Sequence, residues 1–183
     1  MSILKVITVP DKRLSKKAMK VKKFDDNLKK FANDLIETMN SDNAAGIASI
    51  QVDDDPRFKY DNVPEEFRPQ PSVIIVNIED LIVAVNAEII WYSEQKEIGI
   101  EGCMSIPNLP VKVERHTQIH VKYNDLEGNE HIYQCKPGDE SICFQHEIDH
   151  LNGIITPDHS NAMQQMLLWK KFEQINSMLK YRR

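Results

Sequence analysis

No uninterrupted apolar run in the 183 residues approaches the ~20 needed to cross a bilayer, and Met1-Ser2-Ile3-Leu4-Lys5-Val6 lacks the long apolar core of a secretory signal. A membrane partner is therefore not expected, and the chain reads as a cytoplasmic protein. Cysteine is also scarce. Cys103, Cys135 and Cys143 make an odd count without an export signal, which argues against a disulfide framework and for reduced thiols. Linkers and internal repeats are lacking too, so residues 1–183 are expected to form a single domain, large enough to bury a core without covalent staples.

Charge is uneven rather than absent. The net charge is −5, yet the first 30 residues carry ten Lys or Arg against three Asp. Such a basic end is usually a solvated face, but it can also seek phosphate, as can the Lys170, Lys171, Lys180, Arg182 and Arg183 cluster at the other end. RNA of the ribosome is the nucleic acid considered for these ends; DNA is not an expected partner.

The densest chemical signal is Gln145-His146-Glu147-Ile148-Asp149-His150. Two histidines four apart on a helix lie one turn from each other and roughly 40° apart around the axis, so both imidazoles can reach one ion. Glu147 reaches the same side as a base for the water in an open coordination position. Upstream lie Glu101-Gly102-Cys103-Met104-Ser105 and the small-residue loop Ala44-Ala45-Gly46-Ile47-Ala48-Ser49-Ile50-Gln51. One thiolate with two imidazoles is a catalytic rather than a structural donor set, because it leaves a position free.

With these three segments in this order, the chain resembles the peptide deformylases. The Glu-Gly-Cys-hydrophobic-Ser and Gln-His-Glu-hydrophobic-Asp-His motifs match in full, and the Gly-x-Gly-hydrophobic-Ala-Ala-x-Gln loop matches at Gly46, Ala48 and Gln51. The resemblance implies a metal-dependent hydrolase that removes the formyl group from N-formylmethionyl peptides. It implies Cys103, His146 and His150 as metal ligands, Glu147 as general base and then acid, and the Gln51 side chain and Met104 N–H as donors to the oxygen that gains charge. Such donors are worth on the order of 2.7 to 4 kcal/mol each. Gly46, Ile47, Ile142 and Cys143 are the expected substrate-binding residues. The donor set itself suits Zn2+, Fe2+, Co2+ or Ni2+, and the resemblance alone selects ferrous iron. Asp149 reads either as a partner that orients an imidazole or as an exposed carboxylate, and Glu101 is expected to hold its loop through Arg115.

The coarse pattern predicts an α+β fold, with mixed or antiparallel sheets wrapped around a central metal-binding helix and flanked by an N-terminal and a C-terminal helix. Phe24, Leu28, Phe31, Leu35 and Met39 mark the first helix, with Asp25 or Asp26 as its cap. Residues 52–72, polar and proline-rich, read as an insertion that either covers the site as a lid or loops over the surface. Strands are expected at Leu81 to Val85, Glu88 to Tyr92, Thr117 to Tyr123 and Glu130 to Cys135, with Glu127-Gly128 turning the last two. Pro137-Gly138 then breaks the sheet before a helix from Asp139 to Leu151. A final helix runs from Ser160 to Leu179, its apolar face including Met163, Met166, Leu167, Phe172, Ile175 and Leu179.

Departures from the family pattern bear on substrate. Ala44 replaces a glycine at a position expected to need φ > 0, and Ser49 replaces an alanine. Asp139 and Glu140 stand where apolar residues are usual; the expectation is that both cap the helix and point to water rather than into the methionine pocket. Asn108-Leu109-Pro110 alters the strip beside the cysteine motif. Two other readings are a metalloendopeptidase, which His-Glu-x-x-His alone would serve, and a non-catalytic or altered-substrate relative that binds ribosomal RNA.

Overall fold

The computed structural model describes residues 2–58 and 70–180. The order of elements is α1 (Asp26–Ser41), β1 (Gly46–Ala48), β2 (Val73–Asn77), β3 (Leu81–Tyr92), β4 (Lys96–Cys103), β5 (Ile106–His116), β6 (Ile119–Asn124), β7 (Glu130–Gln134), α2 (Asp139–Leu151) and α3 (Ala162–Lys180). Five strands form one antiparallel sheet in the order β1-β2-β3-β6-β7, and β4 and β5 form a separate hairpin. The α+β expectation holds, with α2 between the sheet and the hairpin.

Local chemistry explains the elements that place the site. Asp25 caps α1 by accepting from the Leu28 N–H at 3.1 Å. Leu28, Phe31, Leu35 and Met39 are fully buried against Ile47, Val73, Ile75 and Val85. Each such burial contributes about 1.5–3 kcal/mol, which fixes the sheet edge carrying β1. On α2, Phe144, Ile148 and Leu151 pack into the core with Ile74, Val76, Ile119 and Val121. That packing leaves the stripe Asp139, Ile142, Cys143, His146, Glu147 and His150 for the opposite side, since residues three and four apart share a helix face.

Three expectations change. The two strands foreseen between residues 81 and 92 are one continuous β3, irregular beyond Val85, where Asn86 takes φ 56 and is held by hydrogen bonds to Val21. The β4–β5 hairpin went unforeseen because Lys96-Glu97-Ile98-Gly99-Ile100-Glu101-Gly102 is rich in charge and glycine, both depleted in strands. On α3 the buried side is built by Leu168, Trp169, Phe172 and Ile175, whereas Met163, Met166, Leu167 and Leu179 are exposed. A helix apolar almost all round gives no clear stripe to read.

The ends of the 52–72 stretch are anchored: Val52 bridges Val6, Phe58 stacks edge-on against Phe31 at 5.0 Å, and Gln70, Pro71 and Ser72 are buried. Residues 59–69, on which the expectation of a lid or surface excursion falls, lie outside the described residues.

Candidate active site

Cys103 comes from the end of β4, and His146 and His150 from consecutive turns of α2. A register shift between Glu101 and Cys103 turns the strand end toward the helix. The donor atoms of Cys103, His146 and His150 lie within 4.8 Å of one another. The Cys103 Sγ is 3.3 Å from His150 Nε2, which is 3.2 Å from His146 Nε2. Both histidines are buried, and the Nδ1 of His150 has no hydrogen-bond partner among the described residues.

A second tier fixes these groups. Glu101 receives two hydrogen bonds from Arg115, at 2.7 and 2.9 Å, and lies 2.8 Å from His146 Nδ1, so it orients that ring with Nε2 toward the other donors. Burial opposes ionisation of Glu101, but Arg115 and His146 prevail and hold its pKa down to about 2. Asp149 orients neither ligand: its carboxylate meets Arg115 and, at 2.7 Å, His159. The reading of Asp149 as the imidazole's partner gives way to Glu101, because position 149 sits about 100° around the helix from 150 and faces Arg115 on β5.

The two imidazoles are pushed in opposite directions. Burial disfavours protonation of His146, yet hydrogen bonds with Cys103 and Glu101 outweigh it and raise its pKa well above the ordinary value. For His150, burial and then the neighbouring His146 drive it well below. Two imidazoles and one sulfur that converge beside negative charge fit a divalent ion, which would take the place of the His146 proton.

Glu147 is fully buried one residue along from His146, and its Oε2 has no hydrogen-bond partner among the described residues. Burial pushes its pKa up to about 7; His146 opposes the push and Glu101 adds to it. Gln51 ends a short helical turn after β1. Its Oε1 accepts from the Ala48 N–H at 2.9 Å, which aims Nε2 at the Cys103 sulfur, 3.4 Å away, and at Ser105 Oγ, 3.3 Å away.

These groups share a cleft of about 440 Å³ lined by Gly46, Gln51, Cys103, Met104, Ile142, Cys143, His146 and Glu147 among others. Met104 stands in the turn between β4 and β5. Of the expected substrate-binding residues, Ile47 is absent from this lining: on a strand its side chain points opposite to Gly46, into the cluster under α1. Ile78 and Ile100 line the cleft without having been foreseen; Ile100 belongs to the missed strand β4. Cys143 lines the wall but does not join the donor cluster, and burial followed by the nearby Glu147 raises its pKa well above the usual thiol value, so it stays a thiol. Replacement of Cys103 by Ala should therefore strip bound metal, read by elemental analysis after dialysis against a weak chelator. Unchanged occupancy would move the third ligand to Cys143.

Two departures resolve locally. The positive φ falls on Asn43, at 52°, one residue before Ala44, so the methyl at Ala44 meets no such strain. Leu109 is buried in the α3-side core, with Asn108 at φ 64 bulging the strand beside it. The expectation for Glu140 fails. It is buried and accepts from Tyr133 OH at 2.8 Å and the Lys136 N–H at 2.5 Å, tying the end of β7 to the start of α2. Glu140→Leu should leave both donors unsatisfied at a cost of about 1–3 kcal/mol, measured by urea unfolding, with no gain in substrate selectivity. Asp139, by contrast, is exposed at the rim of the cleft.

A family model described as polypeptide deformylase matches residues 3–166. The chain belongs to the polypeptide deformylase family. The peptide deformylase of Brucella suis biovar 1 is 34% identical over 177 residues, covering 97% of this chain and 95% of the relative. That of Novosphingobium aromaticivorans is 34% identical over 190 residues, covering 96% and 98%. The crystal structure of a peptide deformylase from Legionella pneumophila aligns with a TM-score of 0.82 at 28% identity, over 100% of this chain and 99% of that one. The Ehrlichia chaffeensis peptide deformylase in complex with actinonin aligns with a TM-score of 0.80 at 31% identity, over 95% and 98%. The same family thus emerges from sequence and from fold across nearly the full length.

Proposed function

We propose that this deformylase family member hydrolyses the formyl group of N-formylmethionyl peptides, releasing formate and a free amino terminus, from a single domain spanning the chain. One observation carries the assignment of roles: Cys103 Sγ and the His146 and His150 Nε2 atoms converge beside the cleft that also holds Glu147, whose Oε2 has no hydrogen-bond partner among the described residues. A divalent ion, when bound by Cys103, His146 and His150, supplies Lewis acidity to the reacting oxygens. Ferrous iron is the ion proposed on family grounds; the donors accept Zn2+, Ni2+ or Co2+ equally well by type.

Glu147 takes a proton from water as the water oxygen adds to the formyl carbon. It returns that proton to the departing peptide nitrogen when the C–N bond breaks. Burial favours the protonated form of Glu147, which helps it to hold the proton between the two steps. Gln51 Nε2 and the Met104 backbone N–H donate to the oxygen on which negative charge develops. Gly46, Ile142 and Cys143 form the wall along which the first side chain lies, and Glu101 and Arg115 are positioning residues that hold His146. The basic ends, among them Lys170 and Lys171, are proposed ribosome contacts; Arg182 and Arg183 lie outside the described residues. A cytoplasmic location goes with that role. Among the described residues no helix is long and apolar enough to cross a membrane.

The test is anaerobic formate release from formyl-Met-Ala-Ser by the iron-loaded protein. Turnover is expected. A fully metallated protein that releases no formate would sink the assignment.

A further inference from the structure

Along α2 the cleft-lining residues recur at Asp139, Ile142, Cys143, His146 and Glu147, so the helix carries a single stripe from the rim to the proton-handling end. At 1.5 Å rise per residue, Asp139 lies about 10 Å along the axis from His146 and about 12 Å from Glu147. On the helix between them Ile142 and Cys143 line the cleft, Ile78 and Ile100 add apolar surface to the same lining, and Gly99 adds no side chain in front of Ile142, its nearest neighbour. Among the described residues no Lys or Arg lines the cleft. The Asp139 carboxylate has no hydrogen bond or ion pair among the described residues, whereas the neighbouring Lys136 is paired with Glu79 and Glu140 is consumed by Tyr133 and Lys136. The cleft thus combines an apolar wall with a rim carboxylate that is unpaired among the described residues and in contact with water.

A side chain suited to both parts has a long hydrocarbon stem and a cationic tip, because the stem covers the isoleucines while the tip stays hydrated beside the carboxylate. We propose that Asp139 is a specificity-determining residue that favours formylated peptides whose first side chain ends in a cation, lysine being the simplest. The inference rests on the deformylase reading for the position of the formyl group. Methionine shares the stem but offers the rim no donor. Since Asp139 is exposed, the pairing is screened, and its effect is limited to about three- to fivefold in selectivity.

The experiment compares kcat/KM for formyl-Lys-Ala-Ser and formyl-norleucyl-Ala-Ser, which differ in the tip. It is run at low ionic strength and near 1 M salt, with the wild type, Asp139→Asn and Asp139→Lys. Binding of both peptides to Glu147→Gln protein is followed by calorimetry in parallel. The lysine peptide is expected to lead by about three- to fivefold at low salt, with the lead lost near 1 M, where the screening length is about 3 Å. Asp139→Asn should erase the lead and Asp139→Lys should invert it. Turnover of both peptides with a ratio unmoved by salt or by Asp139→Asn overturns the proposal and leaves the deformylase reading intact. Absence of formate release, with binding that still favours lysine through Asp139, overturns the deformylase reading and supports the rim carboxylate.

Discussion

Replacing Glu147 by Gln will lower formyl-peptide turnover by about 10² to 10⁴ while metal content and fold persist. The substitution keeps the side chain's shape inside a fully buried setting, so packing around His146 and Cys143 is conserved. What disappears is the ability to hold a proton between two bond-making events. Because Glu147 Oε2 has no hydrogen-bond partner among the described residues, the amide leaves few protein contacts broken, and stability should change little. The measurements are kcat at saturating metal, elemental analysis and urea unfolding of the same sample. A variant with near wild-type kcat would remove Glu147 from proton transfer.

Almost as large a loss is expected from Gly46→Ala, although it removes no functional group. A Cβ at Gly46 would come within 2.6 Å of Glu147 Oε1, 2.8 Å of Cys143 Sγ and 2.9 Å of Glu147 Cγ. No real side chain tolerates those separations, so α2 or the Glu147 rotamer must shift. Overpacking of this kind costs about 1–3 kcal/mol, and a displacement of about 1 Å at a reacting group can cost 10²-fold in rate. The expected outcome is a kcat lowered by about 10²-fold, with a loss of stability too small to account for it. Gly102, where a Cβ would meet nothing within 4 Å, provides the stability comparison. Wild-type kcat in Gly46→Ala would mean that the glycine serves only the local backbone.

The metal-binding helix was legible because its chemistry is local: His146, Glu147 and His150 are set by helical periodicity alone, and Gly138 with Asp139 marks where that helix begins. Cys103 and Gln51 were legible as motif members, but the sequence could not say that Gln51 would be aimed by the Ala48 N–H. Glu140 was misjudged, and Asp149 was left between an imidazole partner and an exposed carboxylate, for a shared reason. An acidic residue on a helix looks solvent-facing until the partner arrives from elsewhere, here Tyr133 on β7 and Arg115 on β5. Ile47 was misplaced by strand alternation: of adjacent residues in β1, only Gly46 faces the cleft. The β4–β5 hairpin escaped because its pairing lies between two stretches of modest strand preference and is earned by Val111 and Val113 packing under α3-side residues.

The division of donors between α2 and the separate hairpin has a bearing on how the protein comes into being. The imidazoles of His146 and His150 are neighbours as soon as one turn of helix forms, whereas Cys103 reaches them only once a contact across 47 residues of chain has closed. Synthesis from the amino terminus delivers the hairpin first and the helix later. The third donor therefore depends on the docking of hairpin against helix, a contact whose closure costs more chain entropy than the single helical turn that pairs the imidazoles. Metal retention against a chelator, followed during refolding, would time that docking directly.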